Sequence, residues 1–443
     1  MGLGLLGRGT GDAKFFAEAG AKVTVTDLKS REELTPSLKE LEQYPITFIL
    51  GKHREEDFKN QDLIIRGAGV PRNSKYLKIA SEHNIPIEMD ESFFAKYCPC
   101  PIIGITGTRG KTTVTMLIYE ILKKARLAEA LAKRAEKKVF LGGNIQGLAT
   151  LPLINQVDKN SLIVLELSSW QLQGFAEAKI SPHYAVITNI YPDHLDKYRD
   201  MAEYIEDKKA IYKYQKSSDY LFLNADDPIV SRFYHEAAAK VIWFNKADVT
   251  NDLSFKLLGV HNLTNIAAAL KVSEILGIDY QIIKAAIAEF KGVKGRLEFI
   301  IEIKGVKFIN DTTSTTPIAS EMALDTFKNQ KVILIVGGAD KKLDFTNFAK
   351  KIIESARKII FLDGEGTKRL KAALSEVGYN KDLDGGTFTD LNEVVRKAYN
   401  FATPGSIILF SPACASFGLF LNEYDRGEKF CLAVNKIIKT IKK

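Results

Sequence analysis

Two glycine loops and a handful of carboxylate, imidazole and amine side chains are the places where this chain could do chemistry. The stronger loop is "GITGTRGKTT", residues 104–113, with Gly107, Thr108, Gly110, Lys111, Thr112 and Thr113 at its centre. A β-like run leads into it and an amphipathic run leaves it. The backbone N–H groups of such a turn, with the helix N-terminus behind them, cradle phosphate oxygens. Lys111 can reach terminal phosphates, and the Thr112 hydroxyl can ligate magnesium. The strict spacing asks for glycine where Ile105 stands, with Gly104 and Gly107 on either side of it. A Gly-Lys-Thr falling by chance in a surface turn would not have this strand before it and this helix after it. The loop reads as an ATP site.

Two further residues fit Mg-ATP. Glu166 sits in "VLELSSWQL", a carboxylate in an otherwise apolar run, which is costly unless it is paired or bound to a metal. His194, in "NIYPDHLDKY", follows the run "AVITN", and open α/β sheets hold ligands at the ends of such strands. The other loop opens the chain as "MGLGLLGRGTGDAKFFAEAGAKVTVTD". Gly2-x-Gly4-x-x-Gly7, a helical stretch, a β-like run from Val23 and Asp27 at its end have the layout of a dinucleotide-binding βαβ unit. Such a loop needs a buried strand running into it, and the motif starts at residue 2. The strand is expected ahead of Met1, which then reads as an internal methionine or a late start.

Elements to position these residues recur along the chain. Up to about residue 95, "VTVTD", "ITFIL", "DLIIRGAG" and "IPIEM" alternate with helical runs. After Cys98-Pro99-Cys100-Pro101 the pattern restarts at "IIGIT" and continues through "LIVLEL", "YAVITNI" and "YLFLNAD" to about residue 291. A third series follows: "VKFIND", "VILIVGG", "KIIFLDG" and "SIILFSP". Strands alternating with helices predict parallel α/β sheets. The expected domains are 1–95, 96–291 and 292–443. Between Lys111 and Leu141, "ILKKARLAEALAKRAEKK" predicts a long solvated helix.

Composition narrows the class. At 443 residues, two or three domains are expected. The net charge of +8 is carried by scattered lysines without a nucleic-acid motif, and it suits acidic small molecules equally well. No apolar run reaches the length of a membrane span, so no membrane insertion is expected. Four cysteines, with Cys98 and Cys100 too close to staple much, point to a reducing cytoplasm.

"TGTRGKTT", "GGNIQG", "LELSSWQL", "TNIYPDHLD", "GVHNLTNIAAA", "GRLE", "INDTTSTTP" and "SPACASF" occur in the order found in Mur ligases, and together they span nearly the whole chain. The chain resembles that family, and its last two motifs look most like those of the D-glutamate-adding members. The resemblance implies three domains: a Rossmann-like one for the UDP-sugar, a P-loop domain for ATP, and a Rossmann-like carboxy-terminal one for the amino acid. It implies that the first loop holds a uridine nucleotide, with Asp27 and Lys29 toward the uracil and the Leu5-Leu6 backbone on the diphosphate. It further implies ATP-dependent amide-bond formation between UDP-N-acetylmuramoyl-L-alanine and D-glutamate through an acyl phosphate, by a cytoplasmic monomer.

Thr112 and Glu166 would hold one Mg2+, with Lys111 on the phosphates. His194 and Lys208 would hold another, Lys208 as a carbamate made with carbon dioxide; Lys209 is the neighbouring alternative. Asn144, Ser168 and Gln171 match positions contacting the muramoyl substrate. His261, Asn262 and Asn265 fall in the nucleotide-side motif, with Asn265 on adenine, and Arg296 and Asp311 match phosphate and ribose contacts. Thr315, Lys341 and Ser416 match positions gripping the amino acid. This chain departs from the common pattern at Thr313, where lysine is frequent, and at Phe417-Gly418, where aspartate is frequent. A Mur-type ligase for a different amino acid and a silent nucleotide-binding paralogue are the competing readings. An NAD(P) oxidoreductase suits the amino terminus alone.

Overall fold

A computed structural model describes residues 1–131, 138–194 and 197–441. The chain forms two compact units, Met1–Ser254 with Leu263–Glu289, and Phe255–Asn262 with Phe290–Lys443.

The first unit opens with the helix Arg8–Glu18, which starts directly after Gly7. Two small parallel sheets follow, β1 (Thr24–Asp27) with β2 (Thr47–Leu50), and β3 (Ile64–Ile65) with β4 (Ile87–Glu88). Here Met1 and Gly2 themselves run between the two sheets: Gly2 N donates to Thr26 O (2.8 Å), and Gly67 N donates to Met1 O (2.9 Å).

Six parallel strands make the large sheet of this unit: β5 (Ile102–Thr106), β6 (Val139–Gly143), β7 (Leu162–Glu166), β8 (Tyr184–Ile187), β9 (Tyr220–Asn224) and β10 (Lys240–Phe244). Their order is β10-β9-β8-β5-β7-β6. β5 is buried along its whole length, as the unbroken apolar run "IIGIT" requires of a strand covered on both faces. The strand order reverses at β5, which opens a crevice at its carboxyl end. The P-loop begins there. The helix Lys111–Leu131 continues into the predicted solvated run, whose residues 132–137 lie outside the described residues.

The second unit has its own sheet of β11 (Glu298–Ile303), β12 (Val306–Asn310), β13 (Lys331–Gly337), β14 (Ala356–Leu362), β15 (Asp384–Phe388) and β16 (Ser406–Phe410). Its order is β11-β12-β16-β13-β14-β15, parallel except for the β11–β12 hairpin. Apolar side chains pack both faces, with Leu334, Phe348 and Phe361 in one core cluster and Ile335, Val394 and Phe430 in the other. Among the described residues no helix is long and apolar enough to cross a membrane.

Candidate active site

Four residues connect β5 to its helix, and two of them must be glycine. Gly107 has φ 145°, and a Cβ there would lie 1.9 Å from Thr188 Oγ1. A Cβ on Gly110 would lie 2.3 Å from Asn265 Oδ1. The loop is thus wedged between the end of β8 and Asn265, so Asn265 stands at the predicted nucleotide site. Thr108 Oγ1 lies 3.0 Å from the Tyr204 hydroxyl and fixes the loop on its inner side.

Lys111 Nζ donates to the carbonyls of Gly107 (3.0 Å) and Thr108 (3.1 Å). Lys208, in the last turn of the helix Met201–Lys209, is 1% exposed and donates to the same Gly107 carbonyl at 2.9 Å. Burial drives its amine well below the ordinary lysine range, and the charge of Lys111 adds to the effect. Lys209 turns the other way and pairs with Glu236 at 2.7 Å. Of the two adjacent lysines, Lys208 reaches the loop.

Glu166 closes β7 and is buried. Its Oε1 accepts from Asn144 Nδ2 at 3.0 Å, while its Oε2 is buried without a hydrogen-bond partner among the described residues. Its charge acts on Lys208. An unsatisfied buried carboxylate oxygen suits a cation. Ser168 caps the helix Ser169–Ala178 in a reciprocal box with Gln171, whose amide donates to Glu91 Oε1 at 2.5 Å. Among the described residues no three His, Cys, Asp or Glu side chains converge as a metal cage. A cation beside Glu166 would draw on hydroxyl, phosphate and water oxygens, the habit of magnesium.

His194 has φ 56°, its ring lies 4.8 Å from that of Trp170, and its Nε2 is 3.7 Å from Asp193 Oδ2. Asp193 also faces Arg109 at 3.5 Å. Burial opposes ionisation of Asp193, but Arg109, His194 and Lys111 outweigh it and hold the carboxyl low. Asp193, Arg109 and Glu91 were not anticipated from the sequence; for Asp193 the signal was present in "PDH", a second charge beside the histidine.

The first glycine loop is tied down by Asp27, whose Oδ2 accepts from Gly4 N (3.1 Å) and Oδ1 from Lys29 N (2.9 Å). Leu5 and Leu6 are exposed, and Leu6 O accepts from Gly147 N at 3.2 Å. That bond joins the loop to the turn after Asn144.

In the second unit, Lys341 Nζ donates to Thr315 Oγ1 at 2.9 Å. The Ala339–Ala415 bridge sets the Lys341 loop beside the one carrying Ser416, so the three predicted amino-acid contacts share one corner. Asp311 is buried, and its carboxylate accepts from Leu297 N (3.1 Å), Ser314 Oγ (2.6 Å) and Ser411 Oγ (2.8 Å). Burial pushes its pKa up to about 6, and the charge of Arg296 acts in the opposite direction. Arg426, also missed, is fully buried and donates to Thr312 Oγ1 (3.1 Å), Thr312 O (2.7 Å) and Cys414 O (3.1 Å). It ties the Thr312–Thr315 loop to the "SPACAS" loop.

Residues 105–254 match the Mur ligase middle domain, and residues 295–414 match the Mur ligase, glutamate ligase domain. The chain is 39% identical to a UDP-N-acetylmuramoylalanine–D-glutamate ligase of Roseiflexus sp. over 97% of this chain and 96% of the relative. It is 35% identical to the protein of that name from Borreliella burgdorferi, over 99% and 97%. Its fold is similar to that of a UDP-N-acetylmuramate–alanine ligase from Thermotoga maritima, with a TM-score of 0.63 at 20% identity over 98% of each chain. It is also similar to a MurF ligase of that organism solved in complex with ADP, with a TM-score of 0.60 at 17% identity over 87% of this chain and 97% of the other.

Proposed function

Because the chain belongs to the Mur ligase family, we propose that it joins D-glutamate to UDP-N-acetylmuramoyl-L-alanine at the expense of ATP, in peptidoglycan precursor synthesis. The observation that carries this reading is a P-loop on which Lys111 and Lys208 meet at one carbonyl, with Glu166 close enough for its charge to act on Lys208. Residues 1–95 would seat the uridine diphosphate, 96–291 the ATP, and 292–443 the amino acid, in a cytoplasmic monomer.

A carboxylate oxygen of the alanyl substrate attacks the γ-phosphorus, ADP leaves, and an acyl phosphate remains. The deprotonated amine of D-glutamate then adds to the acyl carbon, and phosphate departs from the tetrahedral centre as the amide forms. Negative charge crowds these steps, so positioned cations are the main catalytic device. Lys111 follows the transferring phosphoryl oxygens, while Gly107, Thr108, Gly110 and Thr113 present the loop backbone to the phosphates. Asn265 meets the adenine; Arg296 and Asp311 take phosphate and ribose. Asn144, Ser168 and Gln171 orient the muramoyl part, and Asp27, Lys29, Leu5 and Leu6 hold the uridine diphosphate. Thr315, Lys341 and Ser416 grip the D-glutamate carboxylates.

Glu166 and Thr112 would hold one Mg2+, His194 and Lys208 a second. When bound, such ions neutralise phosphate charge and polarise the phosphoryl group. An ammonium has no lone pair to offer a metal. The Lys208 role therefore requires its carbamate: the neutral amine adds to carbon dioxide, a C–N bond forms as one C=O π bond opens, one proton leaves, and a single negative charge is shared by two oxygens. Burial of Lys208 favours the neutral amine that this addition needs.

The test is incubation with UDP-N-acetylmuramoyl-L-alanine, ATP, Mg2+ and a panel of amino acids, following phosphate release and product mass. D-Glutamate should give the product. A product with another amino acid only would move the specificity and keep the reaction, whereas no ATP turnover with any of them would favour a silent paralogue.

A further inference from the structure

Cys98 and Cys100 take no part in the proposed reaction, yet their sulfurs are placed together. The tetrapeptide Cys98-Pro99-Cys100-Pro101 joins the helix Asp90–Tyr97 to β5. Each cysteine precedes a proline, whose ring disfavours helical backbone at the residue before it. The helix therefore stops, and Cys98 is extended, with φ −68° and ψ 121°. In extended chain, side chains two residues apart face the same way. The two thiols are free, and Cys98 Sγ lies 3.4 Å from Cys100 Sγ.

The two thiols differ in access. Cys98 is half-buried, whereas Cys100 is 2% exposed and packs in one apolar core with Ile102, Leu167 and Phe175. The hydrogen bond with Cys100 holds the Cys98 thiol below its ordinary pKa, against the effect of burial. The same bond, with burial added to it, pushes the Cys100 thiol up. The thiolate is the nucleophilic form of cysteine, so Cys98 is the attacking group and Cys100 the resolving one. The other two cysteines are set differently. Burial pushes Cys414 up to about 12 and Cys431 up to about 11, and Cys431 Sγ accepts from Asn310 Nδ2 at 3.7 Å.

We propose that Cys98 and Cys100 form a reversible dithiol–disulfide site, oxidised by hydrogen peroxide and reset by a dithiol. The Cys98 thiolate attacks one peroxide oxygen: an S–O bond forms, the O–O bond breaks, and hydroxide leaves, taking up the proton the thiol had released. The Cys100 sulfur then attacks the Cys98 sulfenic acid: the S–S bond forms, the S–O bond breaks, and water leaves with the Cys100 proton. The sulfur pair loses two electrons, and the peroxide gains them and becomes two waters. The sulfurs need to close only from 3.4 Å to about 2.0 Å. Such a bridge closes a ring of three residues, so it removes little freedom from the unfolded chain and adds little stability. Its place matters more. The helix on one side carries Glu91, which holds Gln171, and β5 on the other side runs into the P-loop.

The test treats the fully reduced protein with stoichiometric hydrogen peroxide. Free thiols counted after denaturation should fall from four to two, and the intact mass should fall by two hydrogens. Peptide mapping should place the loss on the peptide that carries Cys98 and Cys100, and dithiothreitol should restore all four thiols. Cys98 should react at least about tenfold faster than Cys431. In Cys100→Ser the reaction should stop at the Cys98 sulfenic acid, which dimedone traps, and Cys98→Ser should keep its remaining thiols. If serine in the core unfolds Cys100→Ser, the peptide map of the unmutated protein still decides. Oxidation of Cys414 or Cys431 as fast as Cys98, a bridge between two chains, or survival of all four thiols would overturn the proposal.

Discussion

Lys111 and Lys208 both donate to the Gly107 carbonyl, at 3.0 and 2.9 Å, one from the start of the P-loop helix and the other from a helix far along the chain. Two ammonium groups on one neutral acceptor repel each other. Burial drives the Lys208 amine well below the ordinary lysine range, and the neighbouring charge of Lys111 adds to the effect. The loop thus holds a cation and a latent nucleophilic amine side by side.

Lys111→Ala should lower kcat/KM on the order of a hundredfold or more, because a charge-assisted contact to the transferring phosphoryl group disappears. The fold should stay intact, since the Lys111 ammonium donates to carbonyls of its own loop and sits outside the apolar core. Phosphate release and thermal melting check both halves. A folded variant with near-normal turnover would remove the ATP site from this loop.

Lys208→Ala should be inactive, and formate or acetate should restore part of the activity by supplying carboxylate oxygens in place of the carbamate. Lys209→Ala should keep near-normal turnover and lose no more than about 1 kcal/mol of stability, because its ion pair with Glu236 lies at the surface. The reverse pattern, with Lys209 essential, would shift the assignment by one residue.

The buried strands were the most legible part of the fold. "IIGIT", "LIVLEL" and "VILIVGG" are apolar runs that a sheet covered on both faces demands, and they became β5, β7 and β13. β10, "KVIWF", escaped because its edge position leaves it half-exposed and its pattern weak. The P-loop was legible because glycine is forced there by close approaches to Thr188 and Asn265. Glu91 and Arg426 were not. A buried titratable side chain is held by partners far away in sequence, such as Gln171 and Thr312, and no local spacing announces them.

Arg426→Ala should destabilise the second unit on the order of 3 kcal/mol, since it leaves the carbonyls of Thr312 and Cys414 buried and unpaired. The loops it joins carry Thr315 and Ser416, so KM for the amino acid should rise more than kcat falls. Arg426→Lys should recover little, because a single ammonium cannot reproduce the three-way fork. Denaturant melts and amino-acid titrations decide it; an unchanged KM would confine Arg426 to stability.

Asp311 gives a pH signature. Burial raises its folded pKa to about 6, above the value near 4 of an unfolded chain. The folded state therefore binds this proton more tightly than the unfolded one. Stability from this group is fully present below about pH 4, falls as pH rises toward about 6, and is flat beyond. The change across that window is roughly 2–3 kcal/mol. Asp311→Asn keeps a polar group beside Ser314 and Ser411 but cannot titrate. The difference in unfolding free energy between the two proteins should therefore slope between pH 4 and 6 and level off above. Chemical denaturation of both proteins across that range checks the sign. A difference that does not change with pH would mean that the Ser314, Ser411 and Leu297 hydrogen bonds offset the burial of the carboxylate and leave its pKa where an exposed aspartate has it.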